Sequence, residues 1–313
     1  MNKPTTIRGT HLTLVAATAM AAGLSSGCAS DDVGTGSLEI GVNGGIALQE
    51  GFPHTEGAVE HAFVDGWSLQ LTKYIMVLDR IRLTDPADGD AEVASWDGPV
   101  MIDLHAGGGD NKQLAVLGDL PATRLDMQFD VIPASAGTEA RDVDSADAVT
   151  MIDDGLTYLI EGQAEKDGQT IAFRLGLDGS SRYSQCTNGK DNTQGVAIEA
   201  EKTVGVFVWH HPHHLWWDVA IAAGNEQLRF DAWAAVAGAD DLVTAEELET
   251  QDLTDLQDAA GDPLLDEDGD PVFYDSGPAL KPDELNLLAF VRYAARAAVH
   301  FNGLGFCTMT VQQ

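Results

Sequence analysis

Several stretches of the chain alternate apolar with polar residues, and this period of two is typical of β-strands that bury one face. The longest stretch covers residues 67–83 and predicts one long strand or two strands with a bend. Residues 125–131 alternate in the same way. Residues 203–209 are apolar at most positions, which indicates a central strand. The sequence therefore predicts a fold built mainly from paired strands.

The turns between these stretches indicate how the strands connect. Residues 158–164 and 171–177 flank Asp167-Gly168, a dipeptide typical of a tight hairpin. Many strands joined by Gly and Asp turns favour an antiparallel arrangement. We therefore predict a mainly β fold, an antiparallel β-sandwich, as a single domain over residues 37–313. The hydrophobic content of 44% is sufficient for a real core.

Residues 230–280 differ from the rest because they contain many acids and no Lys or Arg. Thr244 and Glu247 have the spacing of a capping box, which predicts a helix over about residues 245–259 that stops at Gly261. The segment has too few apolar residues for a core of its own. It is therefore predicted to be an acidic helical insertion on the sandwich.

A final helix is predicted after this insertion. Pro282 suits the first position of a helix, and apolar residues then recur at helical spacing until Gly303.

The chain is strongly acidic, with 50 Asp and Glu against 17 Lys and Arg among 313 residues and a formal charge of -33. Nucleic-acid binding is excluded as a function class, because affinity for phosphates comes mainly from basic side chains. A basic protein partner would suit this charge. Asp266, Asp268 and Asp270 alternate around Gly269 and are a weak calcium candidate, with an exposed acidic turn as the alternative.

Residues 1–27 have the features of a secretory signal peptide. Lys3 and Arg8 precede an apolar run that is too short to span a bilayer. Cys28 follows Ser-Ser-Gly in a pattern that resembles the bacterial lipobox, whose cysteine is lipidated; the alternative is ordinary cleavage nearby. The small and polar residues 28–36 would form a tether. This predicts a protein of the bacterial cell envelope, held to the membrane by a lipid, periplasmic or on the cell surface.

The cysteine count agrees with that location. The three cysteines are Cys28, Cys186 and Cys307. With a lipid on Cys28, the other two remain as one pair, which suits an oxidising compartment. We predict a Cys186–Cys307 disulfide, with two buried free thiols as the alternative.

Four of the nine histidines lie within five residues, directly after the predicted central strand. They are His210, His211, His213 and His214. Imidazole is the usual ligand for zinc and copper in proteins. An extended chain places His211 and His213 on one face, whereas a helical turn pairs His210 with His213 and His211 with His214.

A complete metal site needs ligands from elsewhere in the chain. The candidates are His61, His105, His300 and Asp218. The alternative is that the clustered histidines are structural and form hydrogen bonds to the backbone.

Three stretches around these histidines resemble motifs of a family of uncharacterised bacterial lipoproteins. They are residues 60–67, 211–216 and 300–307, the last two of which follow the patterns H-x-x-H-L-[FW] and H-F-x-G-x-G-x-C. More distantly, the layout is similar to the methanobactin-associated periplasmic copper-binding proteins, which are β-rich.

The resemblance implies a set of metal ligands. His211, His214 and His300 would bind the metal, with His61 as a further ligand. Phe306 stands where the family often has another histidine before the cysteine, so this chain departs from the family pattern at that position.

These observations lead to an expected function. We expect a lipid-anchored envelope protein that binds copper or zinc for storage, delivery or sensing, with Trp209, Trp216 and Trp217 excluding water around the metal. The alternative is a calcium-dependent or charge-driven interaction or adhesion module with structural histidines. A metal-dependent enzyme comes third, because the sequence contains no H-E-x-x-H, G-x-S-x-G or phosphate-binding glycine motif.

Overall fold

Strands make up most of the regular structure in the computed structural model, which describes residues 34–56, 58–106, 110–221, 224 and 226–312. The strands are β1 (Thr35–Asn43), β2 (His54–Glu56), β3 (Val59–His61), β4 (Ser68–Asp85), β5 (Ala91–Trp96), β6 (Val100–Asp103), β7 (Lys112–Pro121), β8 (Arg124–Val131), β9 (Glu139–Arg141), β10 (Tyr158–Lys166), β11 (Gln169–Leu177), β12 (Ser180–Ser184), β13 (Val196–Ala197), β14 (Thr203–His210), β15 (Leu242–Thr244), β16 (Val299–Phe301) and β17 (Thr308–Gln312). The helices are α1 (Ala47–Glu50), α2 (Ser145–Asp153), α3 (Asp231–Ala234), α4 (Ala245–Glu249) and α5 (Leu287–Ala297), with 3-10 turns at Pro86–Asp88 and Pro212–Trp216.

Two β-sheets contain most of the strands. The smaller sheet has the strand order β16-β14-β1-β7. The larger sheet has the order β15-β11-β10-β4-β8-β12-β17, with β5, β6, β9 and β13 attached beside this path. Most neighbouring strands are antiparallel, although β1 and β14 run parallel. The predicted mainly β, sandwich-like fold is confirmed.

Side chains from the two sheets share one core. Ile40 of β1 and Val208 of β14 belong to the same buried cluster as Met76 and Leu78 of β4. The opposite face of β4 packs against α2 through a second, smaller cluster that includes Ile75. The middle of β4 is therefore covered on both faces, and each large side chain buried there contributes about 1.5–3 kcal/mol.

The predicted strands over 67–83 and 158–177 are both found. Strand β4 is continuous over 18 residues, with an irregularity near Arg80, whose φ is 50°. Strands β10 and β11 form a hairpin in register from Tyr158 to Leu177. Asp167 and Gly168 connect them with φ values of 52° and 85°, the positive pair that a type I′ turn requires.

The amino-terminal predictions fall partly outside the described residues. The predicted signal peptide over 1–27 and the predicted lipidation site Cys28 lie there. Strand β1 begins at Thr35, so the predicted tether over 28–36 is too long by its last two residues, which pair in the smaller sheet. In the part of the chain that the structure describes, no helix is long and apolar enough to cross a membrane.

The acidic segment 230–280 contains less helix than its sequence predicts. The capping box at Thr244 is present, but α4 ends at Glu249 rather than near residue 259. Asp252 and Asp258 then accept hydrogen bonds from backbone amides two residues further on, and such local turns compete with helix formation. Several apolar residues of this segment, among them Trp233 and Leu248, join the main core.

The final helix is also shorter than predicted. Helix α5 starts at Leu287 rather than Pro282, because the Asn286 side chain accepts a hydrogen bond from the Ala289 amide and caps the helix there. The helix stops at Ala297, and the following residues form β16, which pairs with β14. This early end places His300 in a strand beside the clustered histidines.

The predicted disulfide is confirmed. Cys186 and Cys307 are bonded across a sequence separation of 121 residues. Cys186 follows β12 and Cys307 precedes β17, and these two strands pair with each other. The bond therefore holds the segment after β16 against the larger sheet.

Candidate metal centre

An apolar cavity of about 520 Å³ lies where β14, β16 and the β2–β3 hairpin meet. Its lining includes five histidines from three separate parts of the sequence. They are His61, His211, His213, His214 and His300. The resemblance implied His211, His214 and His300 as ligands, with His61 as a further one, and the cavity lining includes these four together with His213.

The clustered histidines take their positions from a change of backbone direction. Strand β14 ends at His210, and Pro212 begins a 3-10 turn over Pro212–Trp216. His211 precedes this turn in extended backbone, and His214 lies within the turn. Their rings are stacked with centroids 6.1 Å apart. The ring of His211 also lies 5.5 Å from that of His213, so the structure brings His211 near the partner that each backbone alternative predicts.

His300 reaches the same place through strand pairing. It lies opposite Trp209 in the antiparallel ladder between β14 and β16. Its ring centroid is 4.5 Å from that of His211 and 5.2 Å from that of His214. The ring of Phe306 covers it at 4.9 Å, next to the disulfide-bonded Cys307.

Hydrogen bonds and burial prepare these rings to donate lone pairs. The ring Nε2 of His211 is 2.9 Å from the Gly303 carbonyl, which can only accept, so Nε2 carries the proton and Nδ1 is left bare. Both ring nitrogens of His300 are buried without a hydrogen-bond partner. Burial, with the neighbouring His211, lowers the pKa of His300 to about 3.

His213 and His214 are neutral for the same reason. Burial and the nearby His211 lower the pKa of His213 well below its usual value. Burial and His213 do the same to the pKa of His214. The ring of His214 stacks on Trp217 at a centroid distance of 3.7 Å. At neutral pH the rings of His213, His214 and His300 are therefore uncharged, the form that binds metals.

The closest grouping of ligand atoms lies at the mouth of the cavity. His54, Glu56 and His61 each offer one ligand atom within 4.8 Å of the other two. Among the described residues, this is the one group of three donor side chains whose spacing could hold a metal ion. His211, His214 and His300 are neighbours, but three of their nitrogens do not meet that spacing, so the rings would have to turn toward one ion.

His61 belongs to both parts of the site. Its ring stacks on that of His54 at 4.9 Å and lies 5.0 Å from that of His213. Burial is the main cause that lowers the pKa of His61, helped by His54 and opposed by Glu56. A continuous row of imidazoles thus leads from the mouth to the inner cavity.

Other candidate ligands lie elsewhere. His210 is buried between Tyr74 and Tyr158, and its Nε2 contacts the Ala295 carbonyl at 3.0 Å. Asp218 forms an ion pair with Arg229 at 3.2 Å. Neither side chain lines the cavity.

His105 and the calcium candidates also lie apart from the cavity lining. Asp266 accepts hydrogen bonds from the backbone amides of Asp268 and Asp270, so its carboxylate caps its own turn. These three carboxylates do not form a donor group at metal-binding spacing within the described residues.

The three tryptophans near the cluster have different surroundings. Trp217 and Trp209 stack on His214 and His211, respectively. Trp216 is instead fully buried in the core, where it packs against Phe52 and Trp233. The expectation that all three surround the metal therefore does not describe Trp216.

His54 and Glu56 were missed in the sequence. They stand two residues apart in a short strand, so they share a face, and His61 pairs directly with His54. The pattern His-Thr-Glu before His61 is the signal that could have found them. It is weak because three-residue strands show no periodicity.

Comparison with known proteins gives no match to a family model, to a curated protein or to a solved structure.

Proposed function

We propose that this protein binds a transition metal, copper or zinc, through His211, His214 and His300, and that it stores, delivers or senses that metal. The observation that carries the proposal is the convergence of these histidines on one apolar cavity. They come from the end of β14 and from β16, which lie far apart in the sequence. His213 is a further donor beside them.

The chemistry of the cavity supports this role. Neutral imidazole nitrogens suit copper and zinc, and apolar walls keep water from competing for the metal. Trp217 fixes the plane of the His214 ring through its stacking contact. The hydrogen bond from His211 to Gly303 fixes the tautomer that leaves Nδ1 free to bind.

We also propose that the protein acts in the bacterial cell envelope, held by a lipid on Cys28. The signal-like residues 1–27 and the lipobox-like sequence before Cys28 support this location. The Cys186–Cys307 disulfide suits the oxidising side of a membrane.

Elemental analysis of the purified mature protein, loaded with copper or zinc and dialysed, tests the metal site. The His211→Ala/His214→Ala variant should lose about one equivalent of metal per chain. His105→Ala is the matched control, because His105 lies outside the cavity lining, and its metal content should equal that of the wild type. Equal metal in the wild type and the double variant, or none in either, would contradict the proposal.

A further inference from the structure

We infer that His54, Glu56 and His61 form a second, outer metal site that takes a divalent transition-metal cation, distinct from the inner histidine cavity. The inference rests on the proposed function in one respect, that the protein binds transition metals. It adds a second set of ligands and a preference for cation charge.

The hairpin backbone places the three donors on one face. His54 pairs directly with His61 in the β2–β3 ladder, and Glu56 follows His54 by two residues on the same strand. Side chains at such positions point to the same side of a sheet. Their ligand atoms lie within 4.8 Å of one another. Around a tetrahedral ion with bonds of about 2.1 Å the donors would stand about 3.4 Å apart, so modest side-chain rotation closes the site.

His54 is already oriented as a metal ligand. Its Nδ1 lies 2.8 Å from the Gly51 carbonyl, which can only accept, so Nδ1 carries the proton. The Nε2 atom is therefore bare, and it is buried without a hydrogen-bond partner in a residue that is 5% exposed. A buried acceptor without a partner is costly, and a metal ion would satisfy it. A carbonyl that holds the second nitrogen of a ligand histidine is a common support in metal sites.

The outer and inner sites differ in the charge of their ligands. Glu56 is the acidic residue among those that line the cavity. A divalent cation bound by two neutral imidazoles and this carboxylate leaves a net charge of about +1, whereas the same ion among imidazoles alone leaves about +2. Burying the larger uncompensated charge costs more free energy. The outer triad is therefore the better place for a divalent ion.

The solvent side of the site is open. Glu56 is exposed, whereas His54 is buried and His61 is half-buried. Two histidines and one carboxylate leave a coordination position for water, as in zinc sites with that ligand set. An ion can thus reach the triad from solvent without passing the inner cavity.

Zinc titration by calorimetry on the full mature chain tests the outer site. Glu56→Gln removes the carboxylate charge while keeping the shape of the side chain, and it should weaken binding at one zinc site at least about tenfold. Glu60→Gln is the matched control. Glu60 is exposed on the same hairpin but pairs with Thr55 rather than with the histidine face, so this variant removes the same charge without touching the triad.

The zinc affinities of the two variants differ from each other only if the triad binds zinc. Unchanged affinity in Glu60→Gln with the tenfold loss in Glu56→Gln supports the inference. Equal affinities in Glu56→Gln, Glu60→Gln and the wild type would overturn it.

A second pair of variants separates this inference from the proposed function. His211→Ala/His214→Ala should retain zinc binding at the outer site, whereas His54→Ala/His61→Ala should lose it. If the His54→Ala/His61→Ala variant binds zinc like the wild type, the outer site is wrong and the cavity stands. If only His211→Ala/His214→Ala binds like the wild type, the inner site is wrong and the triad stands.

Discussion

The acidic segment 230–280 and the histidine cavity offer cations two different environments. The segment carries many carboxylates and no basic residue, and most of its acids are exposed. The cavity is lined by imidazole rings, and both ring nitrogens of His300 are buried there without a hydrogen-bond partner. The first region is rich in exposed charge, and the second has buried ring nitrogens, of which both nitrogens of His300 lack a partner.

The two regions show that attracting cations and selecting one kind of cation depend on different side chains. Exposed carboxylates raise the local concentration of any cation, and salt screens this effect. Several carboxylates of this segment, such as Asp266 and Asp252, already accept hydrogen bonds from their own turns. Buried imidazoles attract weakly but discriminate by donor type and geometry. High negative charge alone is therefore a poor guide to the position of a metal site.

Removing the disulfide beside the cavity should have the largest effect on stability. Cys186→Ala/Cys307→Ala should lower the free energy of unfolding by about 4–5 kcal/mol in the chain-entropy model, because the bond closes a long loop. Urea denaturation measures this loss. Metal content should fall as well, because Cys307 holds Phe306 against His300. A loss below about 1 kcal/mol with full metal content would show that the cavity does not depend on the bond.

A buried aromatic tests whether the acidic segment is part of the core. Trp233 is fully buried and packs against Phe173 and Phe230, so Trp233→Ala should cost about 3–5 kcal/mol in urea denaturation. Phe273→Ala is the control in the same segment, since Phe273 is 68% exposed, and it should cost less than about 0.5 kcal/mol. Similar small losses in both variants would mean that the segment is dispensable for stability.

Acid should weaken the metal-free protein through its buried histidines. Burial is the main cause that lowers the pKa of His210 from 6.5 to about 3. Below pH 6.5 the His210 ring of the unfolded chain therefore binds a proton, whereas the same ring in the folded chain stays unprotonated until the pH approaches 3. The contribution of His210 to the free energy of unfolding is therefore complete above pH 6.5 and is lost as the pH falls toward 3.

A buried histidine with a lowered pKa reduces the free energy of unfolding by about 1.4 kcal/mol for every pH unit below about pH 6, until the pH reaches its pKa in the folded chain. His210→Gln should reduce the pH dependence of unfolding, measured with a chelator present, by that amount. The same slope in His210→Gln and the wild type would contradict the buried, neutral state of His210.

The sequence predicted the strands of the sandwich because their hydrophobic period is local. The hairpin at Asp167-Gly168 and the Cys186–Cys307 pair were predictable for similar reasons, from turn chemistry and from counting. The helix predicted over 245–259 was wrong beyond Glu249, because aspartate side chains form turns with their own backbone. Propensity rules do not weigh that competition within a segment.

The candidate site was predictable in composition but not in arrangement. The cluster around His211 is visible in the sequence, and the resemblance added His300 and His61. The position of His300 depends on the pairing of β16 with β14, which is a long-range contact. Glu56 and His54 depend on a hairpin of three-residue strands that no period reveals.

The two groups of histidines differ in the contacts that assemble them. His54, Glu56 and His61 lie within one short hairpin. The inner cavity requires partners as distant as His211 and Gly303, which are 92 residues apart. The inner cavity therefore depends on the long-range pairing of β14 with β16, whereas the outer triad depends on the register of a single hairpin. A change that slips this short hairpin by one residue would separate His54 from His61 while the ladder that holds His300 stays intact.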